Sequence, residues 1–181
     1  MKKLLLAPIA IGILLIAGCG NDVKKTNELE VVKVETAEKV THSSATTTVT
    51  FKDPKVATVY QSYIDLKTAL VNTDATKTAA EAANLMTAFA NVGVDDEVLK
   101  AAQTISEATD VEVQRKAFVK VTDAVEKMLD GAIASGVIYK QYCPMAFDFE
   151  GAFWLSNSKQ ISNPYFGDKM LRCGKIDSEI K

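Results

Sequence analysis

Four aspartates, Asp53, Asp74, Asp95 and Asp110, each head a stretch whose apolar residues recur at helical spacing, and together they limit the fold more than any other feature. Aspartate is a preferred N-cap because its short carboxylate accepts N–H groups that the first helical turn leaves unpaired. Asp53 is followed by Pro54, whose fixed φ and missing N–H suit the first helical position. Behind Asp53, Val56, Val59, Tyr60, Tyr63, Leu66, Leu70 and Val71 follow the 3.6-residue period. Behind Asp74 come Ala79, Ala82, Ala83, Met86, Phe89 and Ala90, with Gly93 suited to end the helix. Asp95 leads Val98, Leu99, Ala102 and Ile105. Asp110 leads Val113, Ala117, Val121, Ala124, Val125, Met128 and Leu129, in a helix expected to stop before Gly136. Four amphipathic helices with short connections predict a mainly α fold, an antiparallel up-down four-helix bundle. Its alanines allow close helix approach, and its Met and aromatic positions belong to the core.

After Gly136 the pattern changes. Val137 to Cys143 is rich in Val, Ile and Tyr, which suits a strand, and Gly151-Ala152-Phe153-Trp154-Leu155 is a second apolar, aromatic run. Asp148 and Glu150, beside Gly151, read as an exposed turn. Asn163-Pro164-Tyr165-Phe166-Gly167 is turn chemistry, and Asp168 to Cys173 is expected to form a short helix closed by Gly174 as a left-handed cap. The bundle therefore carries a small C-terminal β-hairpin and loop segment.

Two sulfur pairs flank that segment: Cys143 with Met145, and Met170 with Cys173. Pro144 biases Cys143 towards extended backbone, where residues two apart share a face. On a helical turn, residues three apart are neighbours. Two thiolates and two thioethers are soft donors, which suit Cu(I) or Ag(I), whereas zinc draws on thiolate, imidazole and carboxylate. The competing reading is a disulfide. The cysteines bracket 29 residues (positions 144 to 172), and closing such a loop stabilises by about 3–4 kcal/mol in the chain-entropy account. Spacing alone leaves both open. Trp154 suits a place over a cation but a lone Trp in an apolar run reads first as core.

The N-terminus sets the compartment. Met1-Lys2-Lys3 followed by the apolar run Leu4 to Ile16 has the charged and hydrophobic regions of a signal peptide, residues 1–18. Leu15-Ile16-Ala17-Gly18-Cys19 resembles the bacterial lipobox, with an aliphatic residue at −3, small residues at −2 and −1, then the cysteine that receives lipid. Cys19 is thus the expected lipidation site, and acyl chains on it hold the protein to a membrane. Gly20 rather than aspartate follows, which by the enterobacterial sorting pattern favours the periplasmic face of the outer membrane. Residues 19–51, polar and rich in Ser and Thr with a short strand expected near Glu30 to Val34, read as a tether, and residues 52–181 as the domain. In an oxidising envelope, with Cys19 acylated, Cys143 and Cys173 default to a disulfide unless something else occupies them.

Charge and histidine content bound the remaining classes. Without Lys2 and Lys3 the chain has 19 basic against 23 acidic residues, a net charge of −4, and no basic stripe, so nucleic acid is not an expected partner. The one histidine, His42, lies in the tether. A hydrolase triad or a His-Glu-x-x-His zinc site needs histidine elsewhere, so no enzyme is expected.

Tyr142-Cys143-Pro144-Met145-Ala146-Phe147, Gly151 to Ser156, Ile161, Asn163 to Gly167, Met170-Leu171 and Cys173-Gly174 resemble the signature of a bacterial family known as domain of unknown function 3347. The helical part of that family corresponds in pattern to Pro54 to Ser135. The family includes small periplasmic lipoproteins and is found appended to adaptor subunits of heavy-metal efflux pumps. The resemblance therefore implies copper or silver handling through Cys143, Met145, Met170 and Cys173, with such an adaptor as a candidate partner.

Overall fold

The structure, a computed structural model, describes residues 48–181. The expected signal peptide, the expected lipidation site Cys19, His42 and the strand expected near Glu30 to Val34 lie outside the described residues. Strand β1 (Thr50–Phe51) is followed by helices α1 (Pro54–Val71), α2 (Ala75–Val92), α3 (Asp96–Glu107) and α4 (Val111–Met128). Strands β2 (Ile133–Ser135), β3 (Ile138–Cys143), β4 (Ala152–Ser156) and β5 (Lys175–Ile180) follow, with a short turn Ala146–Phe149 between β3 and β4 and a 3₁₀ turn Gly167–Lys169 before β5.

The aspartates cap as their chemistry requires. Asp53, Asp74 and Asp110 accept from the backbone N–H groups of Lys55, Lys77 and Glu112 at 2.8, 3.0 and 2.8 Å. Asp95 makes no side-chain cap bond, and its carbonyl instead accepts from Val98 at 2.9 Å. Gly93, at φ +73°, ends α2. Each helix packs on its successor and α4 returns against α1. Leu66, Leu70, Leu85, Phe89, Ile105, Phe118, Val121 and Val125 are sealed inside. No helix of the described residues is long and apolar enough to cross a membrane.

The inward stripe of α4 differs from the expected one. Gln114, Arg115, Phe118, Val121, Thr122 and Val125 face the core, which turns Val113 to solvent at 43% exposure. Ala83 and Ala90 of α2 are exposed too. The inward polar residues are paired in part, and the Gln114 side-chain oxygen has no partner among the described residues. Gln114 Nε2 donates to the carbonyls of Ala75, Ile105 and Ala108, satisfying acceptors at the end of α3 and the start of α2.

The fourth helix stops at Met128, before Gly136 as expected, and Ile133–Ser135 beyond it pair antiparallel with β1. The last two residues assigned to the tether, 50–51, are thus a strand against the domain. The expected hairpin is present, β3 and β4 pairing antiparallel with Cys143 opposite Ala152 and Gln141 opposite Trp154. A third strand joins it: β5 lies antiparallel on the other side of β3, with Ile138 opposite Ile180. The Tyr63 hydroxyl ties sheet to bundle, accepting from the Leu155 N–H at 2.9 Å and meeting the Thr122 hydroxyl at 3.1 Å. Lys140 of β3 pairs with Glu126 of α4 at 2.7 Å.

Two local expectations change in the connecting loops. Asp168 to Cys173 is not a helix. Gly167–Lys169 make one 3₁₀ turn, Met170 leaves helical space at φ −148° and ψ 54°, and the Cys173 N–H closes a tight turn on the Met170 carbonyl at 3.0 Å. Gly174 (φ +147°) is accordingly no helix cap; a Cβ there would stand 2.8 Å from the Trp154 ring and 3.0 Å from the Tyr142 carbonyl. After Cys143, Phe147, Asp148 and Phe149 adopt left-handed backbone at φ 52°, 55° and 72°. Asp148 and Glu150 are exposed, as a turn there requires.

Candidate functional site

Cys143 ends β3 on the face it shares with Tyr139 and Gln141, and its position is fixed because β3 is the central strand, bonded on both sides. It is completely buried. Cys173 arrives from the tight turn before β5 and is half-buried. Their sulfurs stand 3.1 Å apart. That is wider than the 2.03–2.05 Å of a disulfide bond, and both cysteines are free thiols. The hydrogen bond with Cys143, then burial, push the Cys173 thiol up to about 11. It is therefore protonated at neutral pH, and any ion it binds must displace that proton.

Loop 157–174 brings the second sulfur to the first, and two buried polar side chains hold that loop. Asn163, with no exposed surface, donates its side-chain N–H to the Cys173 carbonyl at 2.8 Å and accepts from the Tyr165 N–H at 2.8 Å. Its backbone N–H donates to Leu171 and its carbonyl accepts from Gly167. Arg115 of α4 is 1% exposed and donates to the Pro164 carbonyl (2.8 Å), the Thr73 hydroxyl (3.1 Å) and the Glu112 carboxylate (2.7 Å). Gly167 (φ +57°) sits so close to Arg115, Thr73 and Val71 that a Cβ there would overlap them. The Tyr165 ring fills the space beneath, 6.1 Å from Phe118 and edge-on to Trp154 at 6.1 Å, while its hydroxyl donates to the Phe153 carbonyl.

Of the four sulfur residues named from sequence, the structure brings Cys143 and Cys173 together. Met145 follows Pro144 into a right-handed turn (φ −97°, ψ −6°), so the extended alternation expected to align it with Cys143 is absent. It is 39% exposed and lines a groove of about 710 Å³ with Phe147, Tyr165 and Phe166. Met170 is half-buried, three residues before Cys173 but on a tight turn rather than a helix. Among the described residues no group of three or more His, Cys, Asp or Glu side chains is placed to hold a metal. The donor set at hand is thus thiol, with thioethers close in sequence, which fits a soft ion better than a hard one. Seating an ion between the thiols requires them to separate, since a metal–sulfur bond of about 2.3 Å, the zinc–thiolate value, places two sulfurs farther apart than 3.1 Å.

Trp154 is fully buried, and the face of Gly174, next to Cys173, lies against its ring. Its indole N–H and the side-chain oxygen of Gln141, which stands opposite it across β3 and β4, have no hydrogen-bond partner among the described residues. Sequence reading passed over Arg115 and Lys67, because helical periodicity registers apolar residues and both interrupt it. Lys67 of α1 is 1% exposed, and burial lowers its ammonium to about 8.

A family model described as a protein of unknown function (DUF3347) matches residues 59–135. The match runs from Val59, within α1, through β2 and stops before the sulfur-bearing segment. No curated protein and no solved structure matches the chain.

Proposed function

We propose, from the premise that residues 59–135 form a DUF3347 domain, that this chain is a lipid-anchored envelope protein that binds a soft monovalent ion, Cu(I) or Ag(I), at Cys143 and Cys173. Met145 and Met170 would supply thioethers, and the role would be buffering or delivery to an efflux system. The observation that carries the reading is the approach of two unbridged thiols, one sealed in the central strand and one half-open on a loop. Cys143 offers a fixed ligand. Cys173, whose backbone is held at Met170 and Asn163, would open the gap by rotation of its side chain. Because the Cys173 thiol is raised to about 11, binding releases its proton, and apparent affinity should strengthen as pH rises.

The 3.1 Å separation also favours a second reading, a structural disulfide, since closure to bonding distance takes a shift of about 1 Å. Alkylation mass spectrometry of protein taken from the envelope, combined with a Cu(I) competition titration, separates the two. A 1:1 complex lost in Cys143→Ser and Cys173→Ser is expected. A quantitative 143–173 disulfide with no copper uptake before or after reduction would end the proposal.

A further inference from the structure

We infer that Asn163 is the positioning residue of the thiol pair: its amide N–H, donated to the Cys173 carbonyl, sets where the Cys173 sulfur stands relative to Cys143. The inference rests on Cys143 and Cys173 as the working centre. Cys143 is held by strand pairing, so the gap between the sulfurs is decided by the backbone of Cys173. That backbone has two anchors in its turn, its own N–H on the Met170 carbonyl and its carbonyl on Asn163. Asn163 is completely buried and both arms of its amide are used. The oxygen arm closes a local turn on the Tyr165 N–H two residues on, a task that a serine hydroxyl performs as well. The nitrogen arm spans ten residues to Cys173, and there only a donor of amide length serves.

Two thiols held this way have a high effective concentration for each other, which favours their disulfide in exchange with a small-molecule couple. With glutathione disulfide as oxidant, the two protein thiols give up two electrons and two protons and form one S–S bond. The glutathione S–S bond breaks and takes them up as two glutathione thiols.

The test equilibrates the full chain in glutathione buffers and counts protected thiols by alkylation. Asn163→Ser, which keeps the local turn and loses the donor, is expected to lower the equilibrium constant for disulfide formation at least tenfold, equivalent to about 30 mV. Val121→Ala, a truncation in the bundle core, serves as the stability control and is expected to leave the constant unchanged while lowering the melting temperature. Should the serine variant not fold, Asn163→Gln, which displaces the amide by one methylene, is expected to shift the constant the same way. A folded Asn163 variant with the wild-type constant, or a Val121→Ala shift of equal size, would overturn the inference. No metal enters the measurement. A wild type that exchanges as expected yet takes up no Cu(I) therefore ends the metal reading alone.

Discussion

The bundle Pro54–Met128 and the segment Ile138–Ile180 sit in one domain but are held by different means. The bundle is held by repetition: local hydrogen bonds, aspartate caps and an apolar stripe on each helix, every part specified within a few residues. In the segment the sheet is paired strand to strand, but the loop 157–174 that carries Cys173 is held by single long-range bonds from buried polar side chains. Arg115 reaches the Pro164 carbonyl and Asn163 reaches Cys173, while the Tyr165 hydroxyl reaches Phe153. The first arrangement tolerates replacement at most positions. The second fails wherever one such bond is lost, yet it alone can set two sulfurs 3.1 Å apart across thirty residues of chain.

Four substitutions break or sharpen this contrast. The largest effect is expected where the regions meet. Phe118 stacks on Tyr63 at 5.2 Å and tilts against Tyr165 at 6.1 Å, so Phe118→Ala should cost about 4 kcal/mol and weaken both regions in a urea melt. Arg115→Ala comes next, at about 2–3 kcal/mol, because it strands the Pro164 carbonyl. Hydrogen exchange should show the loss concentrated in residues 163–174. Equal loss of protection across α2 and α3 would contradict the division drawn here.

Lys67→Met should act in the opposite direction. The folded ammonium is lowered to about 8 by burial, so the folded state binds its proton less readily than the unfolded chain does. The penalty is complete below pH 8 and is relieved as pH rises from 8 towards 10.5. Replacing the charge should raise stability by about 2 kcal/mol at pH 7 and flatten the rise between pH 8 and 10. Above pH 10 the buried hydroxyls of Tyr60 and Tyr63, whose pKa values are raised by burial, turn the dependence downward in both proteins. The smallest effect belongs to the bundle's local signals. Asp110→Ala, which removes one cap on Glu112, should cost about 1 kcal/mol in the same urea melt and leave thiol spacing untouched.

The same contrast explains what sequence reading reached. The four helix starts were legible because a capping aspartate and its stripe lie within one or two turns of each other. Cys143 and Cys173 were legible as residues, and the β3–β4 hairpin as alternating apolar runs. The end of α4 also fits, since its stripe was read to Leu129, but strand β2 was not legible, because Ile133–Ser135 are turned into a strand by β1, about 80 residues earlier. Strand β5 was hidden by its composition: only Ile176 and Ile180 are apolar among its charged residues and Ser178, and its register comes from β3. The helix expected at Asp168 to Cys173 fails because Gly174 must pack on Trp154, a contact that local propensity cannot register. The family match falls on residues 59–135, within the helical part that the resemblance placed by pattern, and not on the segment beyond it that carries the quoted motifs.

Trp154 is the single tryptophan of the chain and its ring lies against Gly174, next to Cys173. Titration of the reduced protein with Ag(I), which is redox-inert here, followed by tryptophan fluorescence, reads the thiol pair from inside. A saturating change that ends at one equivalent and is absent in Cys143→Ser and Cys173→Ser is the predicted result. A featureless titration, or the same endpoint in either serine variant, would contradict a soft-ion site at Cys143 and Cys173.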